Sequence, residues 1–177
     1  MLEENFKEEL RKKKLFIKDN IIEDIFELYK SNDYYEKVSD NYPVKLENVL
    51  EDINDIPEFI RPKQKHFFSI YNEENELVAV VDFLDGYSFQ NKDNKDALWI
   101  GLLKLDKQFQ RQGIGSVIIE SLESACKKEN KKIIQLGVIR KNVVGYNFWL
   151  KEGFRVFREG NNKKYDLYLM EKEIGND

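Results

Sequence analysis

The chain of 177 residues carries a net charge of −4 at pH 7, with 41% hydrophobic and 13% aromatic residues. This length predicts a single domain spanning residues 1–177, and the apolar content excludes global disorder because it suffices for a packed core. Nucleic-acid-binding modules are normally basic, so we expect no DNA or RNA partner. One cysteine excludes an internal disulfide, and one histidine lacks partners at metal-ligand spacing, so we expect no metal.

The first residues mix both charges and contain no apolar core, which is unlike a signal peptide. No run approaches the roughly 18–20 apolar residues that a membrane span needs. We therefore expect a cytoplasmic protein without a membrane partner.

The first third of the chain predicts mostly helices. Residues 1–14 form a short helix or helical tail, residues 15–17 a first strand, and the next helix contains Ile22, Ile25 and Tyr29. Residues 34–64 are the least regular stretch, where tyrosines alternate with acids and prolines. From the residues alone, this stretch is interpreted as a solvated helical excursion packed by its aromatic side chains.

The middle and end of the chain predict strands joined by turns and two further helices. Apolar runs at 66–71 and 77–84 predict a hairpin, and apolar residues fill the strands 97–105 and 133–139. A helix from Asn142 to Gly153 and a second hairpin follow. The pattern predicts an α/β fold with a mixed central sheet of about six or seven strands and helices on both faces.

A glycine loop separates the strand 97–105 from an amphipathic helix that begins near Ile114. The loop reads Gln110-Arg111-Gln112-Gly113-Ile114-Gly115-Ser116. The first turn of a helix has unpaired backbone N–H groups and partial positive charge, so this junction predicts a phosphate site. The sequence is not a Walker loop, since it lacks Gly-Lys-Ser/Thr, and Ile118 occupies the position where a dinucleotide loop has a third small residue.

The loop resembles the acetyl-CoA motif of the GNAT superfamily of N-acetyltransferases, Gln/Arg-x-x-Gly-x-Gly/Ala. A second block, residues 142–154, is similar to the family's Asn-x-x-Ala-x-x-Phe-Tyr-x-x-x-Gly-Phe helix, with Gly145 in place of alanine. The resemblance is clearest over residues 77–157. It implies a GNAT-like fold in which acetyl-CoA, as a co-substrate, binds along the central strand and over the glycine loop.

The resemblance also assigns roles to individual residues. Backbone amides of residues 111–116 would hold the pyrophosphate, and Gly113 and Gly115 would let it approach. The implied acetyl-CoA contacts are Leu103, Leu105, Gln110, Arg111, Gln112, Gly113, Ile114, Gly115, Ser116, Asn142 and Trp149. Arg111 stands where the family often has glycine, and its guanidinium either pairs with a phosphate or points to solvent.

The expected reaction transfers an acetyl group to a primary amine of a small molecule or protein by direct attack in a ternary complex. The resemblance implies that the backbone N–H near Leu103 stabilises the oxyanion. The family's tyrosine acid falls at position 149, where this chain has Trp149. Because an indole N–H cannot act as a general acid near neutrality, we expect Trp149 to pack beside the thioester or pantetheine.

No acid lies on the central strand, so Asp82 on the preceding strand is the candidate base. Asp82 either faces the acceptor or points outward and bonds the next loop. Asp85 and Tyr87 are candidates for binding the amine.

Two alternatives remain from the sequence. The absence of tyrosine at position 149 and of an acid on the central strand favours a non-catalytic acyl-CoA-binding or regulatory domain on the same fold. The glycine loop alone would also suit another phosphate ligand. The resemblance further allows a homodimer, since members of the superfamily often dimerise. It also gives a second interpretation of residues 34–64, because the region after the first strand carries acceptor contacts in many GNAT proteins.

Overall fold

A seven-stranded sheet forms the centre of the computed structural model, which describes residues 1–175. The helices are α1 Leu2–Lys12, α2 Ile22–Ser31, α3 Asp33–Val38, α4 Leu46–Asn54, α5 Ile114–Lys128 and α6 Val143–Lys151. The strands are β1 Phe16–Lys18, β2 Lys65–Tyr71, β3 Leu77–Asp85, β4 Ala97–Leu105, β5 Ile133–Ile139, β6 Arg155–Asn161 and β7 Asp166–Glu173. The predicted mixed sheet of about six or seven strands is confirmed.

The spatial order of the strands is β1-β2-β3-β4-β5-β7-β6. Among the described strands, β4 and β5 run parallel, and the other neighbouring pairs run antiparallel. The parallel pair requires a crossover, which α5 supplies, whereas tight turns suffice for the antiparallel hairpins. The glycine loop therefore lies at the carboxyl end of β4, in the middle of the sheet.

Two apolar clusters cover the two faces of the sheet, as predicted. One contains Ile118 and Leu122 of α5, together with residues of α1 and Trp149. The other contains Ile25 and Tyr29 of α2 with Val49 of α4. Alternation along the strands assigns each side chain of β3 and β4 to one of these faces.

Helix α1 belongs to the first cluster and is not a loose tail. Its residues Leu2, Phe6 and Leu10 are buried, and the helix packs on α5. These positions repeat every four residues, so one stripe of the helix is apolar and the remainder is charged.

The ladder between β4 and β5 ends early. Pairing runs from Ala97↔Ile133 to Ile100↔Leu136. Strand β4 nevertheless continues to Leu105 and β5 to Ile139. The two strands therefore diverge over their carboxyl-terminal halves and open a cleft in the sheet.

A bulge in β4 lies where the divergence begins. The register with β3 shifts between Asp82 and Phe83, which pair with Leu102 and Ile100 and leave Gly101 unpaired. A Cβ on Gly101 would lie 2.9 Å from Asp82 Oδ1. Glycine is therefore required at the bulge while the carboxylate occupies its present position.

No helix within residues 1–175 combines the length and apolar character that crossing a bilayer requires. Over the same residues, no cluster of His, Cys, Asp and Glu side chains is arranged to hold a metal ion.

Cys126 is buried in the core, and burial raises the pKa of its thiol to about 12. The thiol is therefore protonated near neutrality and packs as an apolar group.

The partial burial of His66 against the cluster that contains α1 and α5 makes stability depend on pH. Its ring lies 5.1 Å from the ring of Phe83 and 5.8 Å from that of Phe68, and its Nδ1 lies 3.5 Å from Glu3 Oε2. Burial is the largest effect on its pKa and lowers it, although Glu3 opposes the shift. The unfolded chain then binds a proton at a pH where the folded chain does not, so this residue makes stability fall as the pH drops below about 6.5.

We expect His66→Phe to weaken the fall in stability between about pH 6.5 and pH 5, because phenylalanine suits the aromatic site and does not titrate. Urea unfolding of both proteins at a series of pH values measures this. The reference is pH 7.5, at which His66 is uncharged in the folded and in the unfolded chain. An unchanged pH dependence in the variant would show that His66 titrates alike in both states.

Candidate functional site

A cleft of about 670 Å³ occupies the gap between the diverging ends of β4 and β5. Strand β4 contributes residues 100–103 and Leu105, and β5 contributes residues 136–139. The glycine loop and α6 form one end, and Asn32, Tyr34 and Tyr35 reach it from the α2–α3 side. The cleft therefore connects a helix N-terminus to the opposite face of the sheet.

Gly113 forms the junction between the loop and α5. It is the N-cap of the helix with φ +82°, a left-handed conformation that favours glycine. A Cβ there would meet no heavy atom within 4 Å, so its surroundings are open. The first-turn amides of α5, which lack partners within the helix, thus begin at a bare backbone. This is the geometry of an anion site.

Gly115 lies in a tightly packed position. A Cβ at this position would lie 3.2 Å from two ring carbons of Phe148 on α6. The sequence suggested that a Cβ at either glycine would crowd a phosphate. The structure shows a protein neighbour at Gly115 that limits the side chain by itself. The glycine thus lets α5 and α6 approach each other beside the cleft.

Arg111 adopts φ +60°, also in the left-handed region. This conformation costs about 1–2 kcal/mol for a residue with a Cβ, which accounts for the family's frequent glycine there. Arg111 lines the cleft together with Gln110, Gly113, Gly115 and Ser116.

The other two loop residues predicted to contact the cofactor do not line the cleft in the part of the chain that is described. Gln112 donates from Nε2 to the Gln108 carbonyl at 2.8 Å, and Ile114 packs against the core. Their predicted contacts run through the main chain and stay predictions. The side chain of Gln110 donates from Nε2 to the Leu105 carbonyl at 3.3 Å and links the loop to the end of β4.

Asn142 begins α6 as predicted. Its Oδ1 accepts a hydrogen bond from the Gly145 amide at 2.8 Å, which confirms the predicted N-cap. A Cβ at position 145 would lie 2.4 Å from Asn142 Nδ2. The glycine that departs from the family's alanine therefore leaves room for this cap.

Trp149 lines the cleft and is 8% exposed. Its ring packs edge-on against Phe148 at 4.9 Å and Phe154 at 5.2 Å between centroids. These contacts fix the indole as an apolar wall. Leu103 and Leu105, predicted to act through their backbone groups, also line the cleft from β4.

Asp82 lies below Gly101 on the α2–α4 face and does not line the cleft within residues 1–175. Its Oδ2 accepts a hydrogen bond from Lys65 Nζ at 2.5 Å, and the residue as a whole is 6% exposed. Burial, the largest effect, raises its pKa, and Lys65 opposes this. The predicted role as a base stays a prediction, and the lysine already occupies one oxygen.

Asp85 and Tyr87 lie near the other end of β4, away from the glycine loop. Asp85 Oδ1 accepts from Lys131 Nζ at 2.5 Å, and Tyr87 packs edge-on against Trp99 at 5.6 Å. Asp85 pairs in register with Leu98, before β4 and β5 diverge. Their predicted role in binding the amine has no support from these positions and stays a prediction.

Asn32 was not predicted as a site residue, and residues 34–36 were included only in the stretch 34–64, without individual roles. Asn32 donates from Nδ2 to the Leu105 carbonyl at 3.2 Å, and Tyr34 Oη accepts from the Val144 amide at 3.4 Å across the cleft. Glu36, 1% exposed, contacts Lys104 Nζ at 2.5 Å. Lys104, a single charge within the apolar run 97–105, was the sequence signal that could have revealed this buried pair.

Comparisons with known proteins agree with this geometry. The family model described as the Acetyltransferase (GNAT) family matches residues 22–154. The protein YxbD of Bacillus subtilis (strain 168), described as uncharacterized, is 32% identical over 122 residues, which cover 63% of this chain and 76% of YxbD.

Solved structures show the same fold. An acetyltransferase from Thermus thermophilus has a TM-score of 0.69 at 17% identity, covering 90% of this chain and 96% of its own. Ard1 from Thermoplasma volcanium has a TM-score of 0.62 at 19% identity, covering 92% and 99%. The ribosomal-protein-S18-alanine N-acetyltransferase from Escherichia coli has a TM-score of 0.61 at 14% identity, covering 92% and 96%. With its family match, its seven-stranded sheet and its glycine loop at the mouth of the cleft, the chain belongs to the GNAT family of acetyltransferases.

Proposed function

We propose that the protein is an acetyl-CoA-dependent N-acetyltransferase that acetylates a primary amine of a small molecule or protein. The observation that carries this proposal is the cleft between the diverging strands β4 and β5, which leads into the glycine N-cap of α5. One end suits an anion, and the strands line the middle mainly with apolar residues such as Ile100, Leu136 and Val138. This order matches a diphosphate followed by a pantetheine arm.

The residues present fit acetyl-CoA. Backbone amides from Gly113 to Ser116 would hold the diphosphate, because no Cβ closes the approach at Gly113. Beyond Ile100, β4 has no ladder with β5, so its backbone groups near Leu103 are the proposed partners of an amide-bearing arm. At Leu105 only the N–H remains for this role, because the carbonyl already accepts from Asn32 and Gln110. When bound, acetyl-CoA supplies an electrophilic thioester carbonyl.

The protein residues would orient the reactants and exclude water. The Leu103 amide is the proposed donor to the developing oxyanion, as the family implies. Trp149 and Phe148 would shield the acyl end as an apolar wall. Since a thiol has a pKa near 8.5, a thiolate leaves without a strong general acid, and a missing acid costs a factor of about 10²–10⁴ at most.

The main competing function is a non-catalytic acyl-CoA-binding domain, favoured by tryptophan at the position of the family's tyrosine. Calorimetry with acetyl-CoA, followed by a thiol-release assay over a panel of primary amines, distinguishes the two. We expect binding and amine-dependent release of CoA thiol. Reactions without amine measure hydrolysis as the control, and binding without release on any amine would favour the binding domain.

The position of Arg111 gives a prediction for the loop. We expect Arg111→Gly to raise the free energy of unfolding by about 1 kcal/mol, because glycine adopts the left-handed conformation without strain. We also expect weaker binding of acetyl-CoA, because the variant loses a cation beside the proposed diphosphate. Denaturant unfolding and calorimetry measure the two effects.

The matched control is Gln112→Gly. Gln112 has no positive φ, so glycine relieves no strain there and should lower the free energy of unfolding. S-acetylpantetheine, which lacks the diphosphate, should bind the wild type and Arg111→Gly equally. An equal loss of affinity for both acyl compounds would contradict a contact between Arg111 and phosphate.

A further inference from the structure

The α2–α4 face of the sheet carries a largely buried group of charged and phenolic side chains next to the cleft. Its members are Tyr29, Tyr35, Glu36, Asp52, Lys65, Asp82 and Lys104. We call this group the buried polar cluster. With the tyrosines neutral and the other side chains charged, the cluster holds three carboxylates (Glu36, Asp52 and Asp82) and two ammonium groups (Lys65 and Lys104). The carboxylates therefore exceed the ammonium groups by one negative charge.

Glu36 is the unusual member. Its Oε1 lies 2.5 Å from Lys104 Nζ, but Oε2 has no hydrogen-bond partner within residues 1–175 although it is buried. A buried carboxylate oxygen without a donor is destabilising, because it has lost its hydration without gaining a hydrogen bond. Such an oxygen is a vacant acceptor in a region with excess negative charge, and therefore favours an ammonium group or a water that hydrogen-bonds to one.

The carboxylate lies next to the cleft. Tyr35, the preceding residue, lines the cleft, and Lys104 Nζ lies 4.6 Å from the centre of its ring. Lys104 in turn follows Leu103, the proposed oxyanion donor on β4. The pair thus lies one side chain away from the cleft, on the α2–α4 face of the sheet.

Helix α3 is held in place at both ends. Asn32 donates to the Leu105 carbonyl at 3.2 Å before the helix, and the Ser39 carbonyl accepts from Tyr165 Oη at 2.6 Å after it. Glu36 therefore occupies a defined position and does not depend on a free loop. Defined placement is what a proton acceptor requires.

We propose that Glu36 is the proton acceptor for the amine substrate, reached through one water beside Tyr35. This inference rests on the proposed acetyltransferase function. The ammonium proton passes to Glu36 and leaves a neutral amine. The amine nitrogen forms the new C–N bond as the C–S bond breaks, and its second proton goes to the departing sulfur. Glu36 then releases its proton to solvent.

The surroundings suit this role. The groups facing Glu36 are Lys104 on β4, Asp52 on α4, Tyr29 on α2 and Tyr35 on its own helix. Tyr165 interacts electrostatically with Tyr35. Burial is the largest effect on the Glu36 carboxyl and raises its pKa, while Lys104 opposes the shift. A carboxyl with a raised pKa is a better base near neutrality than an ordinary one.

The test compares two nucleophiles: a primary alkylamine that the wild type acetylates, and hydroxylamine, which is largely uncharged at pH 7. We expect Glu36→Gln to lower kcat/KM for the alkylamine by about 10²-fold or more, and for hydroxylamine by less than about tenfold. An equal loss for both nucleophiles, or no loss, would overturn the proposal. If the wild type acetylates neither, the proposed function itself fails.

Two further variants keep the comparison valid. Glu123→Gln removes a carboxylate that lies 2.5 Å from Lys172 on the opposite face, and should leave both rates unchanged. If Glu36→Gln does not fold because it leaves Lys104 buried without its counter-charge, Glu36→Leu combined with Lys104→Met removes both charges and should show the same selective loss. A selective loss in Asp82→Asn but not at Glu36 would assign the role to Asp82.

A titration supplies a readout without the coenzyme. Carbon-detected NMR of the glutamate carboxyls should show one resonance that titrates above the ordinary value of about 4.3 and disappears in Glu36→Gln. If the missing resonance titrates at or below that value, Glu36 is not the poised base that we propose.

Discussion

The separation of β4 from β5 is the constraint on which the rest of this structure depends. Two parallel strands that pair from Ala97 to Ile100 and then diverge leave backbone groups of β4 without a strand partner. Buried backbone groups need hydrogen-bond partners, which Asn32 and Gln110 supply to the Leu105 carbonyl and which a ligand would supply elsewhere in the gap. The glycine loop and the segment that leads into helix α3 both lie at this opening, since Gln110 and Asn32 donate to the same carbonyl, that of Leu105.

The bulge at Gly101 and the glycines of the loop maintain that opening by different means. At Gly101 the missing side chain makes room for Asp82, at Gly113 it permits a left-handed backbone, and at Gly115 it makes room for Phe148. None of these glycines contributes a functional group of its own. Their common contribution is to bring main chain close to the cleft without a side chain in between.

Sequence patterns predicted the sheet, the faces of its helices and the position of the loop, because these depend on local periodicity and on glycine and cap residues. The cap at Asn142 and the apolar stripe of α5 are examples. The placement of Asp82, Asp85 and Tyr87 relative to the cleft depends on register and on a bulge, which no local pattern encodes. Helix α3 was unreadable because its six residues are too few to show a period, and its place depends on distant partners such as Leu105 and Tyr165.

The contact between Gly101 and Asp82 has a further consequence. Gly101 belongs to the cleft, while the carboxylate 2.9 Å from its absent Cβ belongs to the opposite face and holds Lys65, which in turn bonds the Asp52 carbonyl of α4. A side chain acquired at position 101 would push on that ion pair and, through it, on α4. The width of the opening and the packing of a helix on the far side of the sheet are thus mechanically joined, so variation at either place must be matched at the other.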